Sequence, residues 1–170
     1  MKIKTSEICI YGILGALLFA LKVAMSTFPN IEPVSLLLII YTIAFGIKAL
    51  YPLTIYVTLE IICYGFGIWS IGYLYIWLIL VLGTLCVYKI QHSTNALLWA
   101  TVSGIYGLLT GLLYVPIYLI VGGITMATSW WMSGITYDII HGVSNFTLGI
   151  ILFTPLTRLL LKLTKQYKIN

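Results

Sequence analysis

Charge is what this sequence has least of. Only 8% of its 170 residues are charged, where an ordinary soluble domain carries roughly 25%. The acidic residues are Glu7, Glu32, Glu60 and Asp138 and no others. With 61% hydrophobic residues and a mean hydropathy of +1.09, the chain could not cover a core with a polar exterior, and lipid is the solvent that fits. Cysteine is scarce too: Cys9, Cys63 and Cys86 are odd in number, form no CxxC pair and have no zinc-site spacing. They read as small apolar helix residues. There is no GxxxxGK[ST] phosphate loop, so any ATP hydrolysis is expected in other subunits. HExxH is absent, and no second histidine accompanies His141 at ligand spacing. Neither a metal nor another cofactor is therefore expected, although Glu60, Asp138 and His141 are potential ligands. Nothing marks a Ser, Thr or Cys as an activated nucleophile, so the chain is not expected to be an enzyme.

What is there is a series of apolar runs. A membrane helix needs about 20 apolar residues to cross about 30 Å of hydrocarbon. The predicted helices cover residues 8–28, 34–50, 52–66, 73–88, 96–121 and 134–154, in one membrane domain over residues 1–170. Pro29, Asn30 and Pro33 mark the first loop, Gly65, Gly67 and Gly72 a second break, the run 89–95 a polar loop, and 122–134 a polar loop bearing tryptophan. The basic start at Lys2 and Lys4 imitates a signal peptide, but Glu7 precedes the apolar run and Lys22 lies inside it, so the segment reads as a retained first helix.

The net charge of +5 would suggest nucleic acid in a soluble protein. Here it sets orientation instead. Lys2, Lys4, Lys48, Lys89, Arg158, Lys162, Lys165 and Lys168 all fall on one side of a six-helix arrangement. Lys and Arg collect on the cytoplasmic side of short loops. The expectation is an all-α membrane protein, a six-transmembrane-helix bundle with both termini cytoplasmic.

Ionisable groups in lipid are costly and need a partner or a wet cavity. Lys22, Glu60, Asp138 and His141 are such groups, and Asn145 adds a neutral one. At 1.5 Å per residue, Lys22 and Glu60 lie about 9 Å, and His141 about 10 Å, below the outer surface. Asp138, His141 and Asn145 recur at i, i+3 and i+7 and share one helix face. The structural alternative pairs Lys22 with Glu60 or Asp138 and uses the helix 6 residues only to bond neighbouring helices. Polar groups from three helices in one leaflet, beneath loops rich in Trp and Gly, instead predict an outward cavity with Tyr64, Trp69 and Trp77 as walls.

Two stripes of small residues stand apart. Gly12, Ala16, Ala20 and Ala24 recur every fourth residue on helix 1, and Ser103, Gly107 and Gly111 do so on helix 5. Such stripes let helices approach closely in lipid. Both could pack inside the bundle; the unbroken run on helix 1 favours a partner protein.

The predicted six spans, the Ala16-xxx-Ala20 stripe, the stretch Pro29-Asn30-Ile31-Glu32-Pro33 and the run from Gly134 to Asn145 together resemble the substrate-binding (S) components of energy-coupling factor (ECF) transporters, the prokaryotic vitamin importers. The resemblance covers essentially the whole chain, though its motifs are weak singly. It implies a multi-pass protein of a prokaryotic cell membrane. Such a protein captures a vitamin or related micronutrient outside and docks on a membrane coupling (T) subunit bearing two ATPase subunits. Gly12, Ala16, Ala20 and Ala24 would then form the docking face. Lys22, Glu60, Asp138, His141 and Asn145, with Asn30, Glu32, Tyr64, Trp69 and Trp130 from the outer loops and helix ends, would bind the ligand, most simply a weakly cationic or neutral heterocycle. A self-sufficient small-solute carrier, an intramembrane enzyme using Glu60 or His141, and an assembly subunit stay open as alternatives.

Overall fold

A computed structural model describes residues 4–167, and among them every regular element is helical. The order is α1 (Thr5–Ala24), α2 (Val34–Phe45), a 3-10 turn (Gly46–Ala49), α3 (Leu50–Tyr64), α4 (Ile68–Gln91) and α5 (Ala96–Gln166). Four helical stretches are long and apolar enough to cross a membrane: 5–24, 34–64, 68–91 and 96–166. The expected six separate helices are thus not what the helix count gives, for two local reasons.

The first lies between α2 and α3. Gly46 has φ +59°, which ends α2, and a 3-10 turn over Gly46–Ala49 leads directly into α3 with no loop residues between. The boundary predicted at residues 50–52 falls instead at 45–50. The second lies in α5. A straight 71-residue helix would be about 106 Å long, but this one breaks at Gly123, with φ +72° and ψ −172°, a conformation essentially confined to glycine. Beyond the break the chain returns along itself. Asp138 Oδ1 accepts a hydrogen bond from the Gly111 N–H at 2.9 Å, Asn145 Nδ2 donates to the Ser103 carbonyl at 3.4 Å, and Phe153 stacks on Trp99 at 6.2 Å. The segment 122–134, expected as a loop, is helical on both sides of that one residue, so Trp130 and Trp131 sit on helix rather than loop. The other boundaries shift as well. The first helix ends at Ala24 rather than near Phe28, the second break is confined to residues 65–67, and the last helix runs through Pro155 to Gln166.

Glycine makes the seam between the two arms of α5 possible. A Cβ at Gly149 would lie 2.6 Å from the Ala100 Cα, and one at Gly107 would lie 2.8 Å from the His141 carbonyl. The Ser103-Gly107-Gly111 stripe is therefore spent inside the protein. The helix 1 stripe is not: Ala16, Ala20 and Ala24 are exposed, and a Cβ on Gly12 would meet no described atom within 4 Å.

The remaining helices pack around α2, whose residues are all buried except Ala44. α1 and α3 run side by side in the same direction: Tyr11 stacks on Tyr51 at 5.4 Å, Gly15 meets Ile55, and Lys22 faces Glu60. At one end of the bundle Glu7, 4% exposed, accepts from the Lys4 backbone N–H and pairs with Lys48, both at 2.9 Å. That pair ties the start of α1 to the α2–α3 bend. Lys89 near the end of α4, and Arg158, Lys162 and Lys165 beyond Phe153, lie at this same end. Lys2 and Lys168 lie outside the described residues. Cys9, Cys63 and Cys86 are on helices, but with exposed side chains rather than packed ones.

Candidate functional site

At the other end the helices part around a cavity of about 670 Å³. Its walls come from the end of α1 and the following loop, the end of α3, the start of α4 and both arms of α5 near the Gly123 break. Lys22, Asn30, Glu32, Glu60, Tyr64, Trp69, Trp130, Asp138 and His141 all line it. Asn145 does not. It is fully buried one turn deeper, between the arms of α5, where it bonds Ser103.

The polar groups fall into two sets. The first surrounds Lys22. Its ammonium lies 3.5 Å from Glu32 and 4.0 Å from Glu60, donates to the Tyr73 hydroxyl and sits 4.8 Å from the centre of that ring. Lys22 thus joins α1, the following loop, α3 and α4. Its partners include Glu60, one of the two weighed from the sequence, but not Asp138. The second set is Asp138 and His141 on the returning arm of α5, 7% and 4% exposed. Asp138 Oδ1 is held by the Gly111 N–H. Among the described residues Asp138 Oδ2, His141 Nε2, Glu60 Oε1 and Trp77 Nε1 are buried without a hydrogen-bond partner. Buried polar atoms are normally satisfied, but Tyr11, Ser35, Tyr41, Tyr56, Thr84, Ser103, Asn145 and Thr157 carry such atoms away from the cavity, so what sets the cavity apart is that Lys22, Glu32, Glu60, Asp138 and His141 converge on it.

The loop over the cavity is held at its far side. Asn30, at φ +56°, donates through Nδ2 to the Tyr137 carbonyl at 3.0 Å, and the Ser144 hydroxyl donates to the Asn30 carbonyl at 3.0 Å. Asn30 thereby fixes the loop against the returning arm of α5. Trp69 packs edge-on against Tyr73 at 5.3 Å, and Trp130 stacks on Tyr118 at 4.1 Å. Both are thus oriented walls. No three His, Cys, Asp or Glu side chains cluster as a metal-binding group among the described residues; Glu60 belongs to the lysine set and Asp138 and His141 to the other.

The residues that sequence reasoning left out are mostly aromatic. Tyr73, Tyr106, Tyr114 and Tyr137, with Thr110 and Gly111, also line the cavity. A signal for them exists: Trp69, Tyr73 and Trp77 recur every four residues, as do Tyr106, Thr110 and Tyr114, and each set occupies one helix face. Gly72 lets the two faces approach, because a Cβ there would overlap the Tyr114 ring at 2.1 Å. Comparison of this chain with protein-family models, with curated proteins and with solved structures found no match.

Proposed function

We propose that this chain is the substrate-binding subunit of an importer of the energy-coupling factor type. It captures a vitamin or related micronutrient from outside a prokaryotic cell and passes it inward through a membrane coupling subunit and two ATPase subunits. In this reading α2 and α3, and the two arms of α5, are separate passes, which makes six. The end bearing Lys4, Lys48, Lys89 and Arg158 faces the cytoplasm by the positive-inside rule, and the cavity opens outward.

One observation carries the reading: a cavity of about 670 Å³, within the 300–1,000 Å³ usual for small-molecule sites, lies opposite the basic end and is lined by Lys22, Glu32, Glu60, Asp138 and His141. An assembly subunit would use those side chains to bond neighbouring helices and would leave no such space. The exposed Ala16-Ala20-Ala24 face supplies the docking surface. In reconstituted vesicles, uptake is expected only when the coupling subunit and ATPases are present. Ala20→Leu should leave ligand binding intact and abolish uptake. Uptake by the chain alone would favour the self-sufficient carrier, and uptake surviving Ala20→Leu would remove the docking role.

A further inference from the structure

The cavity is unevenly charged. Three carboxyl groups line it, on Glu32, Glu60 and Asp138, against the single ammonium of Lys22. That ammonium serves Glu32 and Glu60. Asp138 receives one backbone hydrogen bond and, among the described residues, no cation. Its environment explains why. The helix wall in front of it is bare at Gly111, where a Cβ would come within 2.2 Å of Oδ2. Oδ2 itself packs against the Gly111 backbone, buried and without a hydrogen-bond partner, while the Asp138 side chain as a whole lines the cavity. One turn further along the same face, His141 Nε2 is also buried and unpartnered. A neutral imidazole nitrogen offers either a donor or an acceptor.

Resting on the capture reading above, we propose that the ligand is a flat heterocycle with a cationic or amino-bearing edge, whose N–H groups meet the Asp138 carboxylate beside His141. Its ring lies among Trp77, Tyr106, Tyr114 and Trp130. Aromatic faces attract a cation electrostatically, so walls and floor select for the same charge. A carboxylate-bearing ligand would set its anion against Asp138 in a site where solvent screens poorly. The volume suits a ligand of one or two rings and not a corrinoid.

The test is equilibrium binding to the purified full chain, using probes of three charge classes: thiamine and pyridoxamine as cations, pyridoxine and riboflavin as neutral compounds, biotin and nicotinate as anions. Each is measured on the native chain and on Asp138→Asn, which keeps an oxygen for the Gly111 N–H and removes the charge. Melting of the unliganded variant checks that it folds. The expected result is that a cationic probe binds at least tenfold more tightly than any anion, and that Asp138→Asn weakens it at least tenfold. Tightest binding of an anionic or neutral probe, or a cationic probe indifferent to Asp138→Asn, would overturn the charge assignment and leave capture standing. No binding by any class would overturn both.

Discussion

Replacing Gly111 by alanine adds one methyl group where the fold has no room for it. The new Cβ would stand 2.2 Å from Asp138 Oδ2 and 2.9 Å from Cγ and Oδ1, all closer than real contacts allow. Either Asp138 turns away and gives up its 2.9 Å bond to the Gly111 N–H, or the arms of α5 separate along a seam where Gly107 and Gly149 also meet backbone closely. Overpacking of this kind costs about 1–3 kcal/mol, and losing a hydrogen bond to a charged group about 1.5–3 kcal/mol. The intrinsic preference of a helix for alanine over glycine returns roughly 0.5–1 kcal/mol. As the two routes are alternatives, the expected net loss is about 0.5–2.5 kcal/mol, read from detergent-driven unfolding in mixed micelles. Gly12→Ala is the matched control: it lies on a helix, its Cβ meets no described atom within 4 Å, and it should be neutral or slightly stabilising. If both substitutions shift unfolding alike, the antiparallel seam of α5 and the placement of Asp138 are wrong.

Other perturbations probe other parts. Gly123→Ala puts a side chain on φ +72° in open space, so its loss of about 1–3 kcal/mol is backbone strain alone; Gly134→Ala, equally open but helical, should show none in the same unfolding measurement. Gly72→Ala should displace the Tyr114 ring from the cavity wall and weaken ligand binding about tenfold, equivalent to about 1.4 kcal/mol, as titration calorimetry would show. Lys22→Met leaves Glu60, whose side chain is 4% exposed, without its cation. Removing one member of a fully buried pair costs about 3–5 kcal/mol, and with Lys22 25% exposed screening reduces the expected loss to about 1–3 kcal/mol. Lys22→Met combined with Glu60→Gln should recover part of it in thermal unfolding, because the more deeply buried of the two carboxylates that lost their cation, Glu60 rather than Glu32, is then neutral.

The sequence disclosed the solvent, the apolar runs and the polar face of residues 138, 141 and 145, because hydropathy and helical spacing are local properties. Lys22 near Glu60 was readable for the same reason: both lie at similar depth, and charges in lipid need partners. The segment 122–134 was not readable. Two adjacent glycines followed by Thr, Ser and Trp have the composition of a loop, yet only Gly123 leaves the helix. Asn145 was misjudged by one turn. It shares a face with Asp138 and His141, but that face passes from cavity to seam between residues 141 and 145. Which of two similar glycine and alanine stripes faces inward also depends on tertiary packing, and spacing alone does not contain it.

The central claim is that the cavity between α1, α3, α4 and α5 captures a small molecule without help from a partner. Its most direct test is mass spectrometry of the small molecules that the purified chain retains from a cell extract, compared with an Asp138→Ala/His141→Ala variant that melts at a similar temperature without ligand. The account predicts one heterocyclic compound enriched on the native chain and absent from the variant. Equal retention by both, or no compound enriched on either, would contradict it.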